Sequence, residues 1–140
     1  ASTRERGDRL AAVVAGSLAQ NHVLCDLLSA QGGVLEHNIS VAVAARYKRA
    51  TLDNIVTLAE LVRRHVPEVG DDAFILCGGI FVVAGAMWPH SRPSANMLAA
   101  IEADPALAVL RTDFTGALEF ALATFVAGTI ARAATGEEAG

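Results

Sequence analysis

The run from Ala73 to Trp88, AFILCGGIFVVAGAMW, carries no charged side chain and is closed by Pro89 and His90. Such a segment crosses a membrane, fills a core or packs against another subunit, and each outcome sets a different frame for the rest of the chain. A membrane span needs about 20 mostly apolar residues. Residues 73–88 fall short of that, and their flanks, Asp71-Asp72 and Pro89-His90, put no Lys or Arg anchor directly at either end, although Arg92 is near. The sequence therefore argues against a membrane partner. A plain core helix and a helix shared between core and subunit interface remain. In the shared arrangement Gly78, Gly79, Gly85 and Ala86 let a second helix approach closely, while Phe74, Phe81, Met87 and Trp88 fill the interior. Small residues also mark ordinary tight helix packing, so both arrangements stay open.

The chain's 140 residues suit one domain with a sizeable core. With 53% hydrophobic and 19% charged residues and a mean hydropathy of +0.41, it is apolar for a soluble monomer, which points to extra buried surface at an interface or around a cavity. A net charge of -4 and a pI of about 5.5 lack the basic balance of a nucleic-acid-binding domain. Cys25 and Cys77 lie in apolar runs and are expected as buried free thiols in a reducing cytoplasm. The N-terminus, ASTRERGDRL, lacks a signal-peptide core.

Helical periodicity dominates and no segment alternates with period two, so one all-α domain of about six helices is expected. Leu10, Val13, Val14, Ser17 and Leu18 form a first stripe. A second run, Val23 to about Glu36, carries Leu24, Leu27, Leu28 and Leu35, with Gly32-Gly33 as a weak point. A long third helix starts near Asn38 or Ser40 and ends before Pro67, with Ala45, Leu52, Ile55, Ala59, Val62 and Val66 as its core seam. Gly70 breaks the chain, and Asp71 or Asp72 is expected to cap the apolar helix. Ser94 caps a short helix through about Ala103, and Asp104-Pro105 opens a last one that frays by Gly136. That last helix mixes Gly116, Ala117, Ala121, Ala123, Ala127 and Gly128 with Phe114, Phe120 and Phe125. It and the apolar helix can pair with their symmetry mates as a four-helix bundle.

No catalytic or metal-binding constellation emerges. His22, His37, His65 and His90 are scattered without an HExxH-type spacing. His22 and Cys25, one turn apart, lack the third group that a nucleophile–base pair needs, so a core thiol beside a surface histidine is expected. Glu36-His37 reads as a helix-end pair rather than a ligand or base. Neither Gly32-Gly33 nor Gly78-Gly79 follows a strand in a phosphate-loop pattern. Arg46-Tyr47-Lys48-Arg49 reads as a solvated face. A ligand pocket between helices is the more plausible activity. Its candidate walls are Cys25, Tyr47, Cys77, Phe81, Met87 and Trp88, with Asn38 or Asn54 as polar partners.

The segments HVLCDLLSAQGGVLEHNIS, VAVAARYKRATLDNIVTLAELV, GAMWPHSRPS and EADPALAVLRTDFTGALEFAL occur in that order. Together they resemble the C-terminal regulatory domain of tetracycline-repressor-type bacterial transcription regulators, over roughly residues 8 to 134. The resemblance implies a cytoplasmic homodimer without enzymatic activity or cofactor, built on a four-helix bundle from two helices of each subunit. Those map to Asp72–Trp88 and Ala106–Arg132. The interface residues are then Gly78, Gly79, Gly85, Ala86, Gly116, Ala117, Ala121, Phe125 and Gly128. It also implies a small, often apolar effector bound inside the domain, which reorients N-terminal helix-turn-helix heads and releases DNA.

Only AST precedes Arg4. The head is therefore expected to be absent, with the chain an excised fragment or a headless paralogue that does not bind operator DNA by itself. Two other expectations compete: a purely structural dimerisation module without ligand, and a small helical enzyme using His22, Cys25 or His37.

Overall fold

The computed structural model describes residues 1–30 and 36–138. In them lie α1 (Thr3–Gln20), α2 (His22–Ala30), α3 (Glu36–Asn38), α4 (Val41–His65), α5 (Ala73–His90), α6 (Ala95–Ala103) and α7 (Phe114–Glu138). Short 3₁₀ segments, Pro67–Asp72 and Pro105–Leu110, precede α5 and α7. The domain is all-α, with seven helices where about six were expected, and no strand occurs among the described residues. Gly32, Gly33 and Leu35 lie outside the described residues.

Local chemistry sets most boundaries. Ser2 and Glu5 form a reciprocal capping box at the start of α1: Glu5 N–H donates to Ser2 Oγ at 3.2 Å and Ser2 N–H to Glu5 Oε2 at 2.7 Å. Asn21 ends that helix and begins the next, accepting from Leu24 N–H at 3.1 Å, and α2 leaves α1 at 88°. Ser40 caps α4, accepting from Val43 N–H at 3.3 Å, and Val66-Pro67 ends it. Gly70, at φ 55, makes the turn that a side chain would strain. Arg6 crosses to the far end of α4, where it pairs with Glu68 and donates to His65 O at 3.2 Å.

Three expectations about helix boundaries need correction. Asp72 stands at the start of α5 but makes no side-chain cap; the preceding 3₁₀ turn leads the chain in, with Ala73 N–H donating to Gly70 O. α5 also runs through Pro89 to His90, because proline falls in its last turn, where it ends the helix rather than breaking it. The helix expected from Ala106 onward is two pieces, because the chain carries two acidic starts. Asp104 accepts from Ala106 N–H at 3.1 Å and opens the 3₁₀ segment, and Asp113 accepts from Gly116 N–H at 3.2 Å and opens α7, which continues past Gly136 to Glu138.

The core joins α1, α4, α5 and α7 around Ala15, Val62, Ile80, Leu118 and Leu122. α1 buries Gly7, Ala11, Ala15 and Leu18; of the expected stripe Leu18 is buried and Leu10 and Val14 pack half-buried against the core, whereas Ser17 is exposed and Val13 is 63% exposed. The smaller stripe lets α7 approach closely, and a Cβ on Gly7 would already lie 3.0 Å from Val126 Cγ1. α4 buries Ala59 and Val62, with Val66 at its end, whereas Ala45 and Leu52 at its other end are exposed. Only the C-terminal half of that seam reaches the core.

Candidate functional site

A helix that is apolar all round has no single inward face. In α5 three faces do different things. Ala73, Leu76, Cys77, Ile80, Ala84 and Trp88, three or four apart, are buried in the core. Phe74, Gly78, Phe81 and Gly85 turn toward α2 and α4 and line a groove of about 800 Å³ with Leu28, Ser29, Thr51 and Ile55. Ile75 and Val82 stand 74% and 72% exposed at the outer lip of that groove, beside Gly79 and Ala86.

The groove has the size of a ligand pocket. Among the described residues its lining contains no Asp, Glu, Lys, Arg or His, and the hydroxyls of Ser29 and Thr51 already donate to the carbonyls of Asp26 and Tyr47 at 3.0 Å each. A second cavity of about 150 Å³ adjoins it, lined by Leu24, Leu27, Tyr47, Ala50 and Asn54. Leu28, Thr51 and Phe81 border both cavities and form the partition between them.

The outward face of α5 continues onto α7. Ile75, Leu76 and Gly79 share a shallow depression with Thr124, Phe125, Gly128, Thr129 and Arg132. Along α7 the spacing of Ala117, Ala121, Thr124 and Gly128 makes one stripe of small residues, flanked by Phe120 at 76% and Phe125 at 37% exposure. The opposite side of α7 supplies Phe114, Leu118, Leu122 and Val126 to the core.

Residues 1–133 match the family model described as tetracyclin repressor-like, C-terminal domain. The chain belongs to that family. No curated protein and no solved structure matches it.

The family comprises non-enzymatic regulators. In this tetracyclin repressor-like domain the residues singled out in sequence are spread over several environments. Phe81 lines both adjoining cavities and Tyr47 the smaller one alone; Cys25, Cys77, Met87 and Trp88 line neither. The Cys25 thiol is buried and donates to Leu18 O at 3.2 Å. Burial pushes it up from its ordinary value, and pushes Cys77 up to about 11. Met87 packs against the core.

Trp88 is pinned. Its indole Nε1–H donates to Asp26 Oδ1 at 2.8 Å, its ring lies 5.1 Å from His22 and edge-on to Phe114 at 4.9 Å, and Arg92 stacks over it at 4.9 Å. It fastens α2 to α5 and α7 instead of facing the groove. His22 thus meets an aromatic ring, not the Cys25 thiol.

Of the small residues, Gly85 is buried against α2 and Gly78 and Gly79 line the groove, with Gly79 also reaching the α7 depression. Ala86 is exposed at the groove lip, Gly116 is exposed, and Ala117 and Ala121 are half-buried. The groove residues Leu28, Ser29, Thr51 and Ile55 carry no sequence signal beyond helix-face apolarity. Among the described residues no three His, Cys, Asp or Glu side chains are grouped to hold a metal ion.

The extended α5 weakens the length argument against a membrane span. Pro67–His90 and Phe114–Gly136 are each long and apolar enough to cross one, and the bent α1–α2 pair passes the same test taken together.

Proposed function

We propose that the chain is the dimerisation and effector-sensing domain of a bacterial transcription regulator. Two copies pair through the outward faces of α5 and α7, and a small uncharged apolar effector enters the α2–α4–α5 groove. The response passes to an N-terminal helix-turn-helix head, through which the full-length regulator, a repressor in this reading, contacts DNA. The protein works in the cytoplasm, without a membrane partner, metal or cofactor.

One observation carries this reading: α5 presents a ligand-sized groove on one side and an exposed apolar stripe on the adjoining side. A ligand that binds one placement of α5 more tightly than another shifts the partner surface by that difference in affinity. Family membership supports the same assignment for α7, where only 22% of the apolar window is buried within the chain. It also favours aqueous partners over lipid for both exposed helices.

Sedimentation velocity at micromolar concentration, on protein recovered without detergent, tests the reading. A soluble dimer is expected. A monomer, or a chain found only in the membrane fraction, overturns it.

A further inference from the structure

Resting on the effector reading above, we propose that Phe81 is the specificity-determining residue of the groove: it forms the end wall that caps the length of an uncharged, apolar effector. Phe81 borders both the groove of about 800 Å³ and the cavity of about 150 Å³, and with Leu28 and Thr51 it makes up the shared wall. Leu28 belongs to α2 and Thr51 to α4, so the wall is drawn from three helices, and the α5 ring is its bulkiest part.

The chemical class follows from the lining. Among the described residues no ionisable side chain borders the groove, and the two hydroxyls there are turned to backbone carbonyls. A carboxylate or ammonium placed in it would lose its hydration with no counter-charge in return. Beyond Phe81 the smaller cavity, walled chiefly by leucines, alanine, tyrosine and the ring itself, has the size that accommodates a benzene-sized group. Removing the ring therefore joins the two cavities and lengthens the accepted ligand by about that much, roughly five or six carbons.

Linear 1-alkanols from hexanol to hexadecanol, titrated calorimetrically into the dimer, serve as probes, with matched alkanoates and alkylammonium ions as charged controls. In the wild type, Kd is expected to fall about fourfold for each added methylene, which corresponds to about 0.8 kcal/mol, and then to stop falling at a definite chain length. In Phe81→Ala the fall continues for about five or six further carbons. Phe81→Leu, which keeps an apolar side chain in place and guards against loss of folding in the alanine variant, moves the break by fewer. The charged controls bind more than about 100-fold more weakly than the alkanols.

A break at the same length in wild type and both variants overturns the role of Phe81 while leaving the effector reading in place. Alkanoates or alkylammonium ions that match the alkanols overturn the uncharged class. If no alkanol binds any of the three proteins, the effector reading falls together with this one.

Discussion

A Cβ placed on Gly85 would stand 2.8 Å from the carbonyl oxygen of Leu28, whereas one on Gly78 meets nothing within 4 Å. The two glycines share a helix and differ only in what faces them. Gly78→Ala is expected to stabilise the isolated chain by about 0.5–1 kcal/mol, the ordinary gain of alanine over glycine in a helix. Gly85→Ala is expected to destabilise it by about 1–3 kcal/mol, because a backbone atom cannot swing aside. Denaturant midpoints followed by fluorescence of Trp88, the single tryptophan, separate the two; equal shifts of one sign would contradict the α2–α5 contact. Cys77 gives a second residue-scale outcome. Its thiol rises from 9.0 to about 11 on burial. Between those values the unfolded chain has already released a proton that the folded chain keeps, so stability is full below pH 9 and falls as pH rises toward 11. The slope over that range should shrink in Cys77→Ala, measured against wild type by urea unfolding; an unchanged slope would place the loss elsewhere.

At the scale of the element, α5 and α7 share a design in which one face enters the core and another stays bare. Phe120, 76% exposed on α7, contacts neither the core nor the groove. Phe120→Glu should therefore leave the far-ultraviolet circular dichroism nearly unchanged, and also the folding midpoint measured at concentrations where the wild type is itself monomeric. In the proposed dimer the same carboxylate would be buried without a partner, and dissociation should strengthen by at least about 100-fold, a cost of several kcal/mol. Sedimentation equilibrium reads that change directly, and an unaffected dimer would move the interface off this part of α7. The sequence made these elements visible and left their faces unresolved. Ser40 and Ser94 announced helix starts because a short polar side chain at a boundary has one main use. The register of α1 was harder to read: Leu10, Val13 and Val14 outrank Ala11 and Ala15 in hydrophobicity, yet the small stripe is buried because α7 needs close approach. In α5 every position from Ala73 to Trp88 is uncharged and apolar, so periodicity carried no information about which side met α2, the core or solvent. The groove was equally hidden, since Leu28, Thr51 and Ile55 meet Phe81 only after α2 bends by 88° away from α1.

For the whole molecule, the arrangement places the groove and the bare stripe on one rigid helix, with the Trp88–Asp26 hydrogen bond fastening α2 to it. In the proposed function, coupling between ligand and partner runs through the shared α5, and linkage makes it reciprocal: whatever factor the ligand applies to dimerisation, dimerisation applies to the ligand. Phe120→Glu tests this without touching the groove, since α7 contributes no residue to its lining. With 1-decanol as probe, the monomeric variant is expected to bind with an affinity about 5–150-fold different from that of the wild-type dimer, the usual range of such couplings. Saturating decanol should shift the wild-type dimer dissociation constant by the same factor per site. The two measurements use different instruments and must agree. Identical affinities in monomer and dimer would mean that the groove and the outward face, though adjacent on α5, respond independently, and the relay to a DNA-binding head would then have to run through α1 and α4, which Arg6, His65 and Glu68 join at the N-terminal end of the domain.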